Sequence, residues 1–93
     1  MTREELLTEI EQTAQLLRGL RVRAPSDRLL EYAELELLAL RSSVAQRWPL
    51  EAPDAVSIGR FAARAFDDGS YPELVTRLVH VDALARRSRL EST

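Results

Sequence analysis

One histidine, His80, and an aspartate two residues later, Asp82, are the nearest the sequence comes to a proton-transfer pair. A carboxylate that orients an imidazole and stabilises its charged form makes a general base. On a helix, however, residues two apart point about 200° away from each other and cannot share a hydrogen bond. The projection puts His80 on an outer face near Glu73, Thr76 and Arg87. It puts Asp82 at the edge of an apolar stripe, one turn before Arg86. Asp82 is therefore expected to pair with Arg86 and tie helices together rather than to act on a substrate.

Other residues suggest metal chemistry by type but not by spacing. Asp67-Asp68 offers two carboxylates, yet a calcium loop places oxygen ligands at alternate positions and closes with a glutamate. Counting from Asp67, the next two places fall on Gly69 and Tyr71, neither a carboxylate. Glu31-Tyr32-Ala33-Glu34 has the interval of a di-iron ligand pair without its histidine. There are no cysteines, so thiolate ligands, thiol nucleophiles and disulfides are excluded. No phosphate-binding loop, dinucleotide turn or serine elbow is present, and three glycines leave little from which to build one. The reading is a protein without cofactor, metal ligand or catalytic residue, and not an enzyme.

The positive charge is unusual in kind: all 13 basic residues are arginine. Arginine favours bidentate and stacked contacts, but a GC-rich coding sequence would give the same bias. Arg86, Arg87 and Arg89, followed by Arg21 and Arg23, are the best footing for nucleic acid. Against it stands a formal net charge of −2, where such domains carry a basic footprint. Residues 1–36 hold five basic and eight acidic side chains and residues 37–93 hold eight and seven, too slight a tilt for a basic stripe. A nucleic-acid-binding regulator built on the Arg-bearing C-terminal helices remains the alternative. Phe61 to Leu84 would supply its helix-turn-helix-like pair around Gly69.

The elements that must position these residues are helices. Apolar spacing predicts four, at about 3–18, 27–47, 55–67 and 71–88, in an all-α four-helix bundle of 93 residues. Two begin with a capping box, Thr2-Arg3-Glu4-Glu5 and Ser70-Tyr71-Pro72-Glu73. Gly19 is the expected stop of the first, Ser26 or Asp27 the cap of the second, and Trp48-Pro49 its end. Glu51-Ala52-Pro53-Asp54 reads as a linker, Ala55 as the start of the third apolar face, and Leu90 to Thr93 as a frayed end. Short Pro- and Gly-containing connectors favour antiparallel neighbours.

The second helix breaks the amphipathic rule. Leu30, Ala33, Leu37, Leu40 and Val44 make its main stripe, but Tyr32, Leu35 and Ala39 project the opposite way, with Leu38 between. Either the other three helices surround it, or the surplus face is an interaction site rimmed with charge. The expected partner-binding residues are Tyr32, Leu35, Leu38, Glu31 and Glu34, and the partner is another protein or a second copy in a homodimer. By size and charge the chain is like the small acidic helical bacterial proteins that mask a partner as immunity proteins, antitoxins or secretion chaperones. Glu4, Glu5, Glu9 and Glu11 of the first helix would suit a basic target. No apolar run approaches a membrane span and no signal peptide opens the chain, so a cytoplasmic location without membrane contact is expected.

Overall fold

The computed structural model describes residues 2–48, 50 and 57–91, with the side chains of residues 89–91 excepted. Over these residues the chain is all α: α1 (Arg3–Arg23), α2 (Arg28–Gln46), α3 (Ile58–Ala65) and α4 (Pro72–Glu91). The helices form a ring in which each packs against the next and α4 returns to α1. Among the described residues the diagonal pairs, α1 with α3 and α2 with α4, are not neighbours. Neighbours run antiparallel, as the short connectors require: Arg21 near the end of α1 reaches Glu34 early in α2, and Gln12 in mid-α1 meets Arg77 in α4. The four expected apolar stripes face inward and merge into one continuous core.

The first helix is longer than its sequence predicts. Gly19 does not stop it; α1 continues to Arg23, and the residue that leaves helical geometry is Ala24, at φ −134° and ψ 67°. The reason is the following proline, whose ring disfavours helical geometry at the residue before it. A glycine inside a helix costs about 1 kcal/mol relative to alanine. Leu17 in the core and Leu20 against it carry the helix across that weakness.

The two capping boxes behave differently. At α1 the Glu5 N–H donates to Thr2 Oγ1 at 3.2 Å, the forward half of the predicted motif. At α4 the box is not built, because α4 begins at Pro72 and the residue in the cap position is Tyr71. Ser70 is instead turned back, its N–H donating to Asp68 Oδ1 at 3.0 Å. The turn is made by two left-handed residues, Gly69 at φ 86° and Tyr71 at φ 52°. Tyr71 tolerates that geometry because its ring packs edge-on against Phe66, with centroids 5.6 Å apart. Its hydroxyl also donates to Asp27 Oδ2 at 2.8 Å. Asp27 in turn caps α2 through Leu29 N–H, so one carboxylate fastens the α3–α4 turn to the start of α2.

α3 is the short member, eight residues against the thirteen predicted for 55–67. The 51–54 linker and Ala55 lie outside the described residues, as do Pro49, Thr93 and the side chain of Arg89. Before α3, Leu50 is 2% exposed and joins the core, a burial that no periodicity in the sequence announces. α4 runs to Glu91, past the expected end at 88.

Candidate functional site

The outer face of α2 is assembled by its own periodicity. Leu30, Ala33, Leu37 and Val44 are fully buried, so the residues half a turn away must face outward. Tyr32 is 49% exposed, Leu35 57% and Leu38 40%, with Leu29 at 39% on the shoulder toward α3. Ala39 is exposed between them. The other three helices therefore do not enclose α2. It is a wall of the ring, in contact with α1 on one flank and α3 on the other.

Of the five predicted partner-binding residues, four share this face: Tyr32, Leu35, Leu38 and the exposed Glu31. The fifth does not. Glu34 turns toward α1, where its Oε2 accepts from Arg21 Nη1 at 2.9 Å. That hydrogen bond, reinforced by the charge of Glu34 itself, raises the Arg21 guanidinium above its ordinary value. Glu34 thus sets the α1–α2 packing, while Glu31 is left at the rim. Arg41, also exposed, lies on the α1 flank, lining a groove with Leu7, Glu11 and Arg18. Glu31 makes no ion-pair contact among the described residues, but its charge also acts on Arg21 and helps to raise it.

The remaining polar candidates are absorbed by the fold. Asp82 is 8% exposed and does pair with Arg86, whose Nε donates to Oδ1 at 2.6 Å. Its second oxygen does something that a single helix could not reveal, accepting from the Gly59 N–H at 2.9 Å. The local cap residue of α3, Ser57, makes no side-chain capping bond, so Asp82 caps α3 from another helix. Gly59 must lack a side chain for this approach, since a Cβ there would lie 2.9 Å from Asp82 Cγ.

His80 stands closer to α1 than its own helix suggested. Its Nε2 lies 3.9 Å from Glu9 Oε2, and the same oxygen is 3.2 Å from Arg77 Nη2. Arg77 also donates to Gln12 Oε1 at 3.1 Å. The acidic surface expected of α1 is accordingly depleted. Glu9 faces Arg77, Glu11 lies 3.4 Å from Arg18, and among the described residues only Glu4 and Glu5 of the four remain outside ion pairs. Two of the five basic candidates are engaged in the same way: Arg21 pairs with Glu34 and Arg86 with Asp82. Asp68 is held below the ordinary carboxylate value by the N–H of Ser70 and then by its hydroxyl, a turn-closing role.

Among the described residues no group of three histidine, aspartate or glutamate side chains is placed to hold a metal ion. None of the described helices is long and apolar enough to cross a membrane. Open grooves lie between neighbouring helices, one lined by Arg60, Phe61 and Arg64 of α3 with Glu36 of α2. The outer face of α2 remains the surface whose composition its own fold does not account for. No protein-family model, curated protein or solved structure matches the chain.

Proposed function

We propose that this protein is a binding module that acts by covering the outer face of α2 with another protein surface, and not by catalysis. The observation that carries this reading is the row Tyr32, Leu35 and Leu38, between 40% and 57% exposed on a helix whose opposite face is fully buried. Single exposed apolar residues are ordinary, whereas a contiguous patch with a charged rim marks a contact surface. Tyrosine and leucine also pay little side-chain entropy on binding compared with the long charged residues.

A masking role of the immunity, antitoxin or chaperone kind is compatible with such a face. Its other support, an acidic first helix aimed at a basic target, is weakened by the ion pairs that occupy Glu9 and Glu11. The α2 face is the better-supported surface. The test compares the native chain with Leu35→Glu in solution mass measurements and in affinity capture. Leu35→Glu should keep the helical circular dichroism of the parent and lose every association the parent makes. If both proteins bind the same partners, or neither binds anything, the face is not a binding surface.

A further inference from the structure

Two exposed arginines of α3, Arg60 and Arg64, stand over an apolar strip without an ion-pair or hydrogen-bond partner among the described residues. We infer that the groove between α2 and α3 takes a short acidic segment of another protein. Arg60 and Arg64 would hold two of its carboxylates, and an apolar side chain between them would cover Phe61 and Ala65. This groove lies on the α3 flank of α2 and works independently of the binding role proposed for the outer face.

The spacing of α3 builds the groove. Ser57, Arg60, Phe61, Arg64 and Ala65 recur at three- and four-residue intervals, so they share one side, with Glu36 of α2 opposite. Ile58 and Ala62 are buried on the core side. Phe61 and Ala65 are half-buried and form the floor, with the Phe61 ring set edge-on to Phe66 at a centroid distance of 6.2 Å. Arg60 and Arg64 are one turn apart, about 6 Å along the axis at 1.5 Å per residue. Acids within reach by sequence or across the groove are turned to other groups. Glu36 accepts from the Ser57 hydroxyl at 3.3 Å, and Asp68, one turn beyond Arg64, accepts from the Ser70 N–H at 3.0 Å.

The chemistry of the rim selects the occupant. A guanidinium fork matches a carboxylate with two parallel N–H donors. Two forks one turn apart match carboxylates at alternate positions of an extended segment, about 6–7 Å from each other. A small anion would stay largely in water in an open groove, whereas small-ligand sites enclose most of their ligand. A nucleic acid would carry its phosphates past the arginines toward Glu36, Asp67 and Asp68, and the chain's net charge of −2 opposes it further. A mixed acidic and apolar peptide uses both the arginines and the strip beneath them.

Fluorescence anisotropy of the full chain with a labelled, amidated Glu-Leu-Glu-Leu-Glu peptide tests this. The native protein should bind it, and should bind the Gln-Leu-Gln-Leu-Gln and Glu-Ser-Glu-Ser-Glu counterparts more weakly, the first by about tenfold. Arg60→Ala and Arg64→Ala should each raise the dissociation constant about tenfold. Arg3→Ala, on α1 across the ring, should leave it unchanged. All three arginines are exposed, and circular dichroism checks that the fold is kept. A native chain that does not bind the acidic peptide, binding that survives both α3 substitutions, or an equal loss on Arg3→Ala overturns the groove as a binding site. Equal or tighter binding of a ten-nucleotide single-stranded DNA that depends on Arg60 and Arg64 overturns the acidic protein segment as its occupant.

Discussion

Two helices of this ring use their surfaces in opposite ways. α4 is stitched to both neighbours by polar side chains: Arg77 reaches Gln12 and Glu9 of α1, and Asp82 reaches the backbone of α3. Among the described residues α2 contributes two bonds, Glu34 accepting from Arg21 of α1 and Glu36 from the Ser57 hydroxyl before α3, and turns Tyr32, Leu35 and Leu38 to the outside. A polar tie is directional, so it is satisfied by one partner at one height and leaves nothing over. Apolar area has no direction and is satisfied only by being covered. The polar flanks of α4 are complete within the monomer. The outer face of α2 stays uncovered in this chain.

The sharpest way to test that contrast is within α2 itself, where leucines of opposite fate are two residues apart. Leu37, fully buried, should cost about 2–5 kcal/mol when replaced by alanine, measured by urea unfolding. Next in size is the tie that distinguishes α4. Asp82→Ala leaves the Gly59 N–H and the Arg86 guanidinium without their shared carboxylate and should cost about 1–3 kcal/mol. Gly59→Ala, which pushes a methyl group onto the same carboxylate, should destabilise as well, and the two losses should not add because they act on one contact. Arg77→Ala, which cuts a partly buried ion pair with Glu9 and the bond to Gln12, should cost about 1 kcal/mol. Leu35→Glu should move stability by no more than about 0.5 kcal/mol while removing association. A large loss of stability there would show the α2 face to be structural after all and erase the contrast.

The smallest effect lies at alkaline pH. The hydrogen bond to Asp27, with partial burial and the aspartate's charge, raises the Tyr71 hydroxyl above its ordinary value of 10.0. A folded-state value above the unfolded one means that the folded chain holds the proton longer. The contribution to stability is then complete below 10.0 and is lost as pH rises through the higher folded value. Thermal unfolding of Tyr71→Phe should lack this added alkaline slope.

How far the sequence foretells these features depends on their range. The stripes of α2 are periodic within one helix, so both its buried and its outer face can be read from spacing alone. That spacing cannot say whether neighbours cover the outer face, because coverage depends on α3 being short and on α4 lying across the ring. The end of α1 is misread at Gly19 because tertiary packing of Leu17 and Leu20 overrides a local preference. The second capping box fails for a related reason, since Asp68 takes Ser70 and the aromatic contact with Phe66 sets Tyr71. Asp82 is recognisable as a tie to Arg86, four residues away on its own helix. Its bond to Gly59 spans 23 residues, and no one-dimensional pattern reports that meeting. The same holds for Tyr71 and Asp27, 44 residues apart.

The carboxylate that crosses from α4 to α3 also fixes an order of events. An eight-residue helix is too short to persist alone in water, where about 12–15 residues are marginal. Among the described residues the cap of α3 comes from Asp82 and not from the Ser57 side chain, so its first turn should become stable only once α4 has formed and presents Asp82. Assembly should close with α3, and the native molecule should open there first. In native-state hydrogen exchange the α3 amides should exchange together, well before those of α1 and α4, with the Gly59 amide marking the moment the short helix lets go.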